Sequence, residues 1–135
     1  MSLQKVREII ENSRYGQLAT SVDGQPHVRP MAFIMLEDGR LWSSTYECSG
    51  KMAQLRKNDK VEICFVDKNR VHLRIEGIID ISGDCHKKDE LLKRNPKVNK
   101  HFDGGQDPNF VHLEVRPLKM KYKPMGFCEY TEVTL

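Results

Sequence analysis

Cysteine is scarce in this chain, and none of it is paired by spacing. Cys48, Cys64, Cys85 and Cys128 are scattered without a CxxC pair, which excludes the usual zinc and dithiol redox motifs. Cys85-His86 and His101 match no zinc spacing either, so no metal site is expected. No apolar run approaches the length of a bilayer span, and the N-terminus lacks the apolar stretch of a secretion signal. A cytoplasmic protein with reduced thiols and no membrane partner is therefore expected. An excess of one charge is missing too: 22 Lys and Arg against 19 Asp and Glu leave a net charge of +3. That is too little to imply a nucleic-acid partner. Repeats, linkers and low-complexity tracts are absent, so residues 1–135 are read as a single domain.

What is present is the material of a small β protein. Hydrophobic residues make up 39% of the chain, enough for a core without disulfide or metal support. Leu3, Val6, Ile9 and Ile10 fall on one face of a helix over Leu3 to Asn12. A strand follows from Tyr15 to Val22, and Asp23-Gly24 turns it into a second strand from Pro26 to Met35. Asp38-Gly39 leads into a third strand, Arg40 to Ser44, completing a three-stranded meander in which Trp42 reads as core. Lys51 to Asn58 reads as a short helix with Met52 and Leu55 inward. Val61, Ile63 and Phe65 alternate along a fourth strand, and Cys64 within it reads as a small buried residue.

Asp67-Lys68-Asn69 turns into a long fifth strand, Val71 to Ile81, with Gly77 marking a bulge. Asp84 is positioned to cap a helix ending near Arg94, before Pro96. On that helix the basic run Lys87-Lys88, Lys93-Arg94, continued by Lys97 and Lys100, is interleaved with Asp89 and Glu90 and reads as a solvated face. The sixth strand begins at Phe110, is interrupted by Arg116-Pro117 and continues over Leu118 to Tyr122 as an edge. Six strands joined mostly by hairpins, with three small helices, predict a mainly β fold: a closed or partly open antiparallel barrel.

Functional information concentrates between His27 and Lys51. Strand residues His27-Val28-Arg29-Pro30-Met31 precede Leu41-Trp42-Ser43-Ser44-Thr45, and Ser49-Gly50-Lys51 opens a helix. A strand end rich in hydroxyls, followed by a helix start that brings a lysine, is chemistry for holding a phosphate. Arg29 can join from the neighbouring strand, its planar fork suited to phosphate oxygens. His27, alone near a hairpin, reads as a surface residue rather than a ligand.

These segments resemble the flavin-binding split-barrel proteins related to pyridoxamine 5′-phosphate oxidase. The resemblance rests on Leu18-Ala19-Thr20, Asp23-Gly24, His27 to Met31, Trp42 to Thr45, Ser49-Gly50-Lys51, Gln54 to Asn58, Val61 to Phe65 and Gly77, over residues 3 to 120. It implies a six-stranded antiparallel split barrel, a homodimer, and FMN in a groove between subunits. Arg29 and Lys51 would hold the phosphate with help from Ser49. Pro30 and Met31 would lie along the isoalloxazine, and Ser43, Ser44 and Thr45 would hydrogen-bond its polar edge. The expected function is that of an FMN-dependent oxidoreductase acting on a small molecule.

The chain departs from the true oxidase at Gly50, where that enzyme has a basic residue. It also departs over Pro124 to Tyr130, which lacks the Arg- and His-containing segment that holds the vitamin. Oxidation of pyridoxamine phosphate is therefore not expected. A flavin-binding or flavin-storage protein without catalysis is the alternative, and a haem- or deazaflavin-binding relative is a further one. No side chain stands out as acid, base or nucleophile, so no catalytic residue is assigned. Phe127 and Tyr130 are expected to border the isoalloxazine of a dimer partner, the alternative being a frayed tail.

Overall fold

The computed structural model describes residues 1–134. Helix α1 (Leu3–Glu11) starts where the Ser2 hydroxyl accepts the Lys5 N–H, and it buries Val6, Ile9 and Ile10. Those are the positions its 3.6-residue period placed on one face. Strand β1 (Ser13–Val22) pairs with β2 (Gln25–Met31) through a two-residue turn. Asp23 and Gly24 both have positive φ there, 51° and 80°, the geometry that matches the twist of a hairpin.

The remaining elements are β3 (Ile34–Met35), β4 (Leu41–Tyr46), α2 (Gly50–Lys57), β5 (Lys60–Asp67), β6 (His72–Ser82) and α3 (Cys85–Arg94). A short 3-10 turn (Pro96–His101), β7 (Phe110–Lys123) and β8 (Thr131–Val133) complete the chain. All pairings are antiparallel, in the order β2-β1-β5-β6-β7-β4-β3, with β8 on β7. The described residues thus form eight strands rather than six, in a sheet that does not close.

The extra strands have identifiable causes. The expected strand from Pro26 to Met35 is cut at Ala32-Phe33, where the chain leaves β1 and crosses to the other end of the sheet. Consequently β4 pairs with β3 and β7, so the three-stranded meander is not formed. Strand β2 carries Pro26 and Pro30, which cannot donate to a ladder, and it lies on a sheet edge as prolines require. The tail adds β8, whose Val133 is buried in the core, so Thr131–Val133 are not frayed.

Arg116-Pro117 does not interrupt β7, and the stretch beyond it is not an edge, since Met120 sits between Ile75 and Val133. The irregularity is a bulge in β7 itself, where Leu118 is the extra residue between the Gly77–Pro117 and Glu76–Lys119 pairs, and a Cβ on Gly77 opposite would lie 2.7 Å from the Arg116 carbonyl oxygen.

Two apolar clusters result. The larger fills the concave side of the sheet with Leu18, Ile63, Phe65, Ile75 and Leu113 beneath α1. The smaller joins Leu36, Trp42, Leu91 and Phe110 under α3, so Trp42 is core as read, but in this outer layer. Asp84 caps α3 as anticipated, accepting the His86 and Lys87 N–H groups. Cys64 and Lys88 depart from what the sequence pattern implies. Cys64 is only half-buried, because it points away from the Ile63 and Phe65 face. Lys88 is buried rather than solvated, its ammonium donating to the Asp107 and Phe110 carbonyls.

Candidate functional site

The site forms along the seam where the two ends of the open sheet meet. Residues 30–32 leave one edge, β4 runs near the other, and no backbone ladder joins β2 to β3 or β4. Across this seam the Ser43 hydroxyl donates to the Ala32 carbonyl at 2.6 Å. The cleft beside it has a volume of about 310 Å3 and is bordered by Pro30, Met31, Ser43, Ser44, Thr45 and Lys51. Larger cavities of about 540 and 510 Å3 lie elsewhere, one beneath α1 and one beside Arg14 and Phe65. Chemistry rather than size singles out the seam.

Two cations converge there. Lys51, in the first turn of α2, donates to the Thr45 and Ser49 hydroxyls, both at 2.8 Å. Arg29, on β2, donates to the Thr20 hydroxyl at 2.9 Å, to the Leu18 carbonyl at 3.3 Å, and to the Gln54 amide oxygen. Among the described residues neither cation pairs with a carboxylate. Burial, and then the positive charge of Arg29, push the Lys51 pKa down, and burial does the same to Arg29. Two partly desolvated like charges, held only by neutral acceptors, create a local positive field that an anion would relieve.

The donor count has the same sense. An arginine has five N–H donors and a lysine three. The recorded bonds leave two of Arg29's and one of Lys51's without a partner among the described residues. Three donors beside two positive charges match the three terminal oxygens of a phosphate group.

The structure brings Pro30, Met31, Ser43, Ser44, Thr45 and Lys51 to one cleft, with Ser49 bonded to Lys51 and Arg29 close enough to perturb it. Ser43 and Thr45 spend their hydroxyls within the protein, Ser43 as a donor to Ala32 and Thr45 as an acceptor from Lys51. Ser44 lies between them on the opposite face of β4 and has no recorded side-chain partner. Of the sequence-assigned hydroxyls, it is the one most available to a ligand.

Several contributors escaped sequence reading. Thr20 and Gln54 hold Arg29, and Gln54 carried a signal: it lies three residues after Lys51, on the same face of α2. Tyr46, His101 and Phe102 form an aromatic wall, with Tyr46 and Phe102 centroids 5.1 Å apart and Phe102 stacked on Phe110 at 4.0 Å. His101 and Phe102 arrive from the connection before β7, which has no periodicity to reveal them. His27 is half-buried on the Arg29 face of β2 and has no recorded partner. The segment Met125 to Tyr130 does not border its own chain's cleft. Phe127 is fully exposed, and Tyr130 lies against Arg74, Lys121 and Lys123.

An open antiparallel sheet whose two ends meet at a cationic cleft defines a split-barrel protein. The family model described as pyridoxamine 5′-phosphate oxidase matches residues 2–124, and the chain belongs to that family. It is 30% identical to general stress protein 26 of Bacillus subtilis over 98% of this chain and 94% of that one. The crystal structure of a NimC/NimA family protein from Clostridium acetobutylicum superposes with a TM-score of 0.84 at 21% identity, covering 98% of this chain and 92% of the other. A pyridoxamine 5′-phosphate oxidase-related, FMN-binding protein from Nostoc punctiforme gives 0.73 at 18%, covering 98% and 96%.

Proposed function

We propose that this protein is an FMN-dependent oxidoreductase acting on a small molecule, with the flavin held at the seam. The observation that carries the reading is the Arg29–Lys51 pair, two cations without carboxylate partners among the described residues, beside a cleft bordered by Pro30, Met31, Tyr46 and Phe102. The Nostoc relative, named as FMN-binding, supports the same cofactor. Arg29 and Lys51 would neutralise the phosphate, with Ser49 holding the lysine. Pro30 and Met31 would offer an apolar surface to the ring, and Ser44 a hydroxyl to its polar edge. FMN would supply the electron-transfer chemistry, while the protein supplies position and electrostatics.

Pyridoxamine phosphate is not the proposed substrate, because residues 124–130 contain no Arg or His with which to hold it. We further propose a homodimer. The cleft is open in one chain, and Phe127 and Met125 leave large apolar surface uncovered, as a partner subunit would require.

A non-catalytic flavin carrier is the second reading, and one observation favours it. Among the described residues, those bordering the cleft include no carboxylate and no thiol. The absorption spectrum of protein reconstituted with FMN, followed by anaerobic addition of NADH or NADPH, separates the two. Bleaching of the flavin bands by either nicotinamide is the expected result for an enzyme. A bound flavin that neither nicotinamide reduces selects the carrier, and a protein that takes up no flavin ends both readings.

A further inference from the structure

We propose that Gln54 is the residue through which this site selects a phosphate monoester, by aiming the Arg29 guanidinium while leaving its charge uncompensated. The inference rests on the FMN reading and extends it to a residue not previously assigned a role. Two donors converge on the Gln54 side chain, the Arg29 guanidinium and the Thr20 hydroxyl, the latter at 2.9 Å. The atom they meet must therefore be the amide oxygen. Thr20 also accepts from Arg29 at 2.9 Å, so Arg29, Thr20 and Gln54 form a closed triangle of hydrogen bonds.

This arrangement fixes one end of the guanidinium against the protein and leaves the rest of its fork free. It does so with neutral acceptors only. A carboxylate at position 54 would accept the same two bonds but would cancel the arginine's charge, and the site would fall from two net positive charges to one. The choice matters because a phosphate monoester approaches two negative charges at neutral pH, its second pKa being about 6. Each phosphate of an internal diphosphate carries only one.

Helix α2 therefore contributes twice. Lys51 faces the anion directly, and Gln54, one turn later, acts through Arg29. Gln54 is a positioning residue; its effect is expected on the phosphate and not on the flavin ring.

The test is fluorescence titration of the wild type, Gln54→Glu and Gln54→Leu with FMN and with riboflavin, at low and high salt. Gln54→Glu should weaken FMN by about 30-fold or more, the effect of losing a charge-assisted contact. Riboflavin binding should stay unchanged, and the salt dependence of FMN binding should flatten. Gln54→Leu keeps the charge but loses the aim, so FMN should weaken about 3- to 10-fold with its salt dependence retained. Thermal melts without ligand identify any variant that fails to fold, and the other variant then carries the test. A wild type that binds riboflavin as tightly as FMN overturns the phosphate reading and this assignment together. A wild type that prefers FMN, with variants that keep the full preference, overturns the role of Gln54 alone. Equal loss of FMN and riboflavin affinity shows a merely structural residue and also overturns it.

Discussion

Lys51 is the side chain on which the phosphate reading turns most directly. Among the described residues it is the one lysine or arginine bordering the cleft itself, and its hydroxyl partners hold it in place without neutralising it. Lys51→Ala should weaken FMN by about 10- to 100-fold, the cost of one charged hydrogen-bonding group, and leave riboflavin nearly unaffected. Parallel titration with the two flavins checks this. A second residue of consequence lies outside the site. His112, on β7, is completely buried against Trp42, its ring edge-on at 4.5 Å, and neither ring nitrogen has a partner among the described residues. Burial pushes its pKa down to about 4, reinforced by Lys87 and Arg40 and opposed by Glu114 and Asp84. A histidine depressed in the folded state is protonated first in the unfolded chain, so the protein loses stability as pH falls from about 6.5 to about 4. The loss from this group alone is on the order of 3 kcal/mol. His112→Leu should flatten the pH dependence of the urea midpoint across that window. At pH 7 it should cost little, because it removes two unpaired polar atoms.

At the scale of elements, α3 shows why part of the chain was legible and part was not. Its start was readable because Asp84 is a local signal, answered by two N–H groups within three residues. Its buried lysine was not. Lys88 looks like one more charge in a basic run, and only the folded chain brings the carbonyls of Asp107 and Phe110 to its ammonium. Lys88→Met should take the ammonium from both carbonyls, the Asp107 carbonyl keeping only the Phe110 N–H, and cost about 1–3 kcal/mol, lowering the melting temperature by roughly 3–10 °C in a scanning experiment. The strands divide in the same way. Alternation located most of them, and Gly77 marked the bulge, because period and turn chemistry are written locally. The break at Ala32-Phe33 and the pairing of β4 with β7 depend on which sheet edge the chain reaches, which no window of sequence records. The cationic pair was legible for the first reason, since hydroxyls and a lysine cluster at a strand end and helix start. The His101-Phe102 wall was hidden for the second, and so was the role of Gln54, whose spacing from Lys51 is local but whose partners Thr20 and Arg29 only the fold supplies.

For the whole molecule, the expectation that matters most is association. One chain leaves Phe127 wholly exposed and Met125 62% exposed, on a segment anchored by β8 on one side and β7 on the other. A partner subunit that covers these groups would gain roughly 1.5–3 kcal/mol for each large apolar side chain taken from water. Light scattering at micromolar protein should return twice the 15.7 kDa chain mass, and Phe127→Ser should shift the equilibrium toward monomer. A wild type that stays monomeric with flavin bound would remove the dimer from the proposal.

The unlaced seam has a kinetic side. Elsewhere in the sheet, parting two strands means breaking a row of backbone hydrogen bonds at once. Between the Pro30 to Ala32 segment and β4, the recorded tie is a single serine hydroxyl on a carbonyl. A local parting at this cleft would therefore leave the backbone ladders of the sheet intact. If the proposed flavin sits there, its exchange would not have to wait for the fold to open.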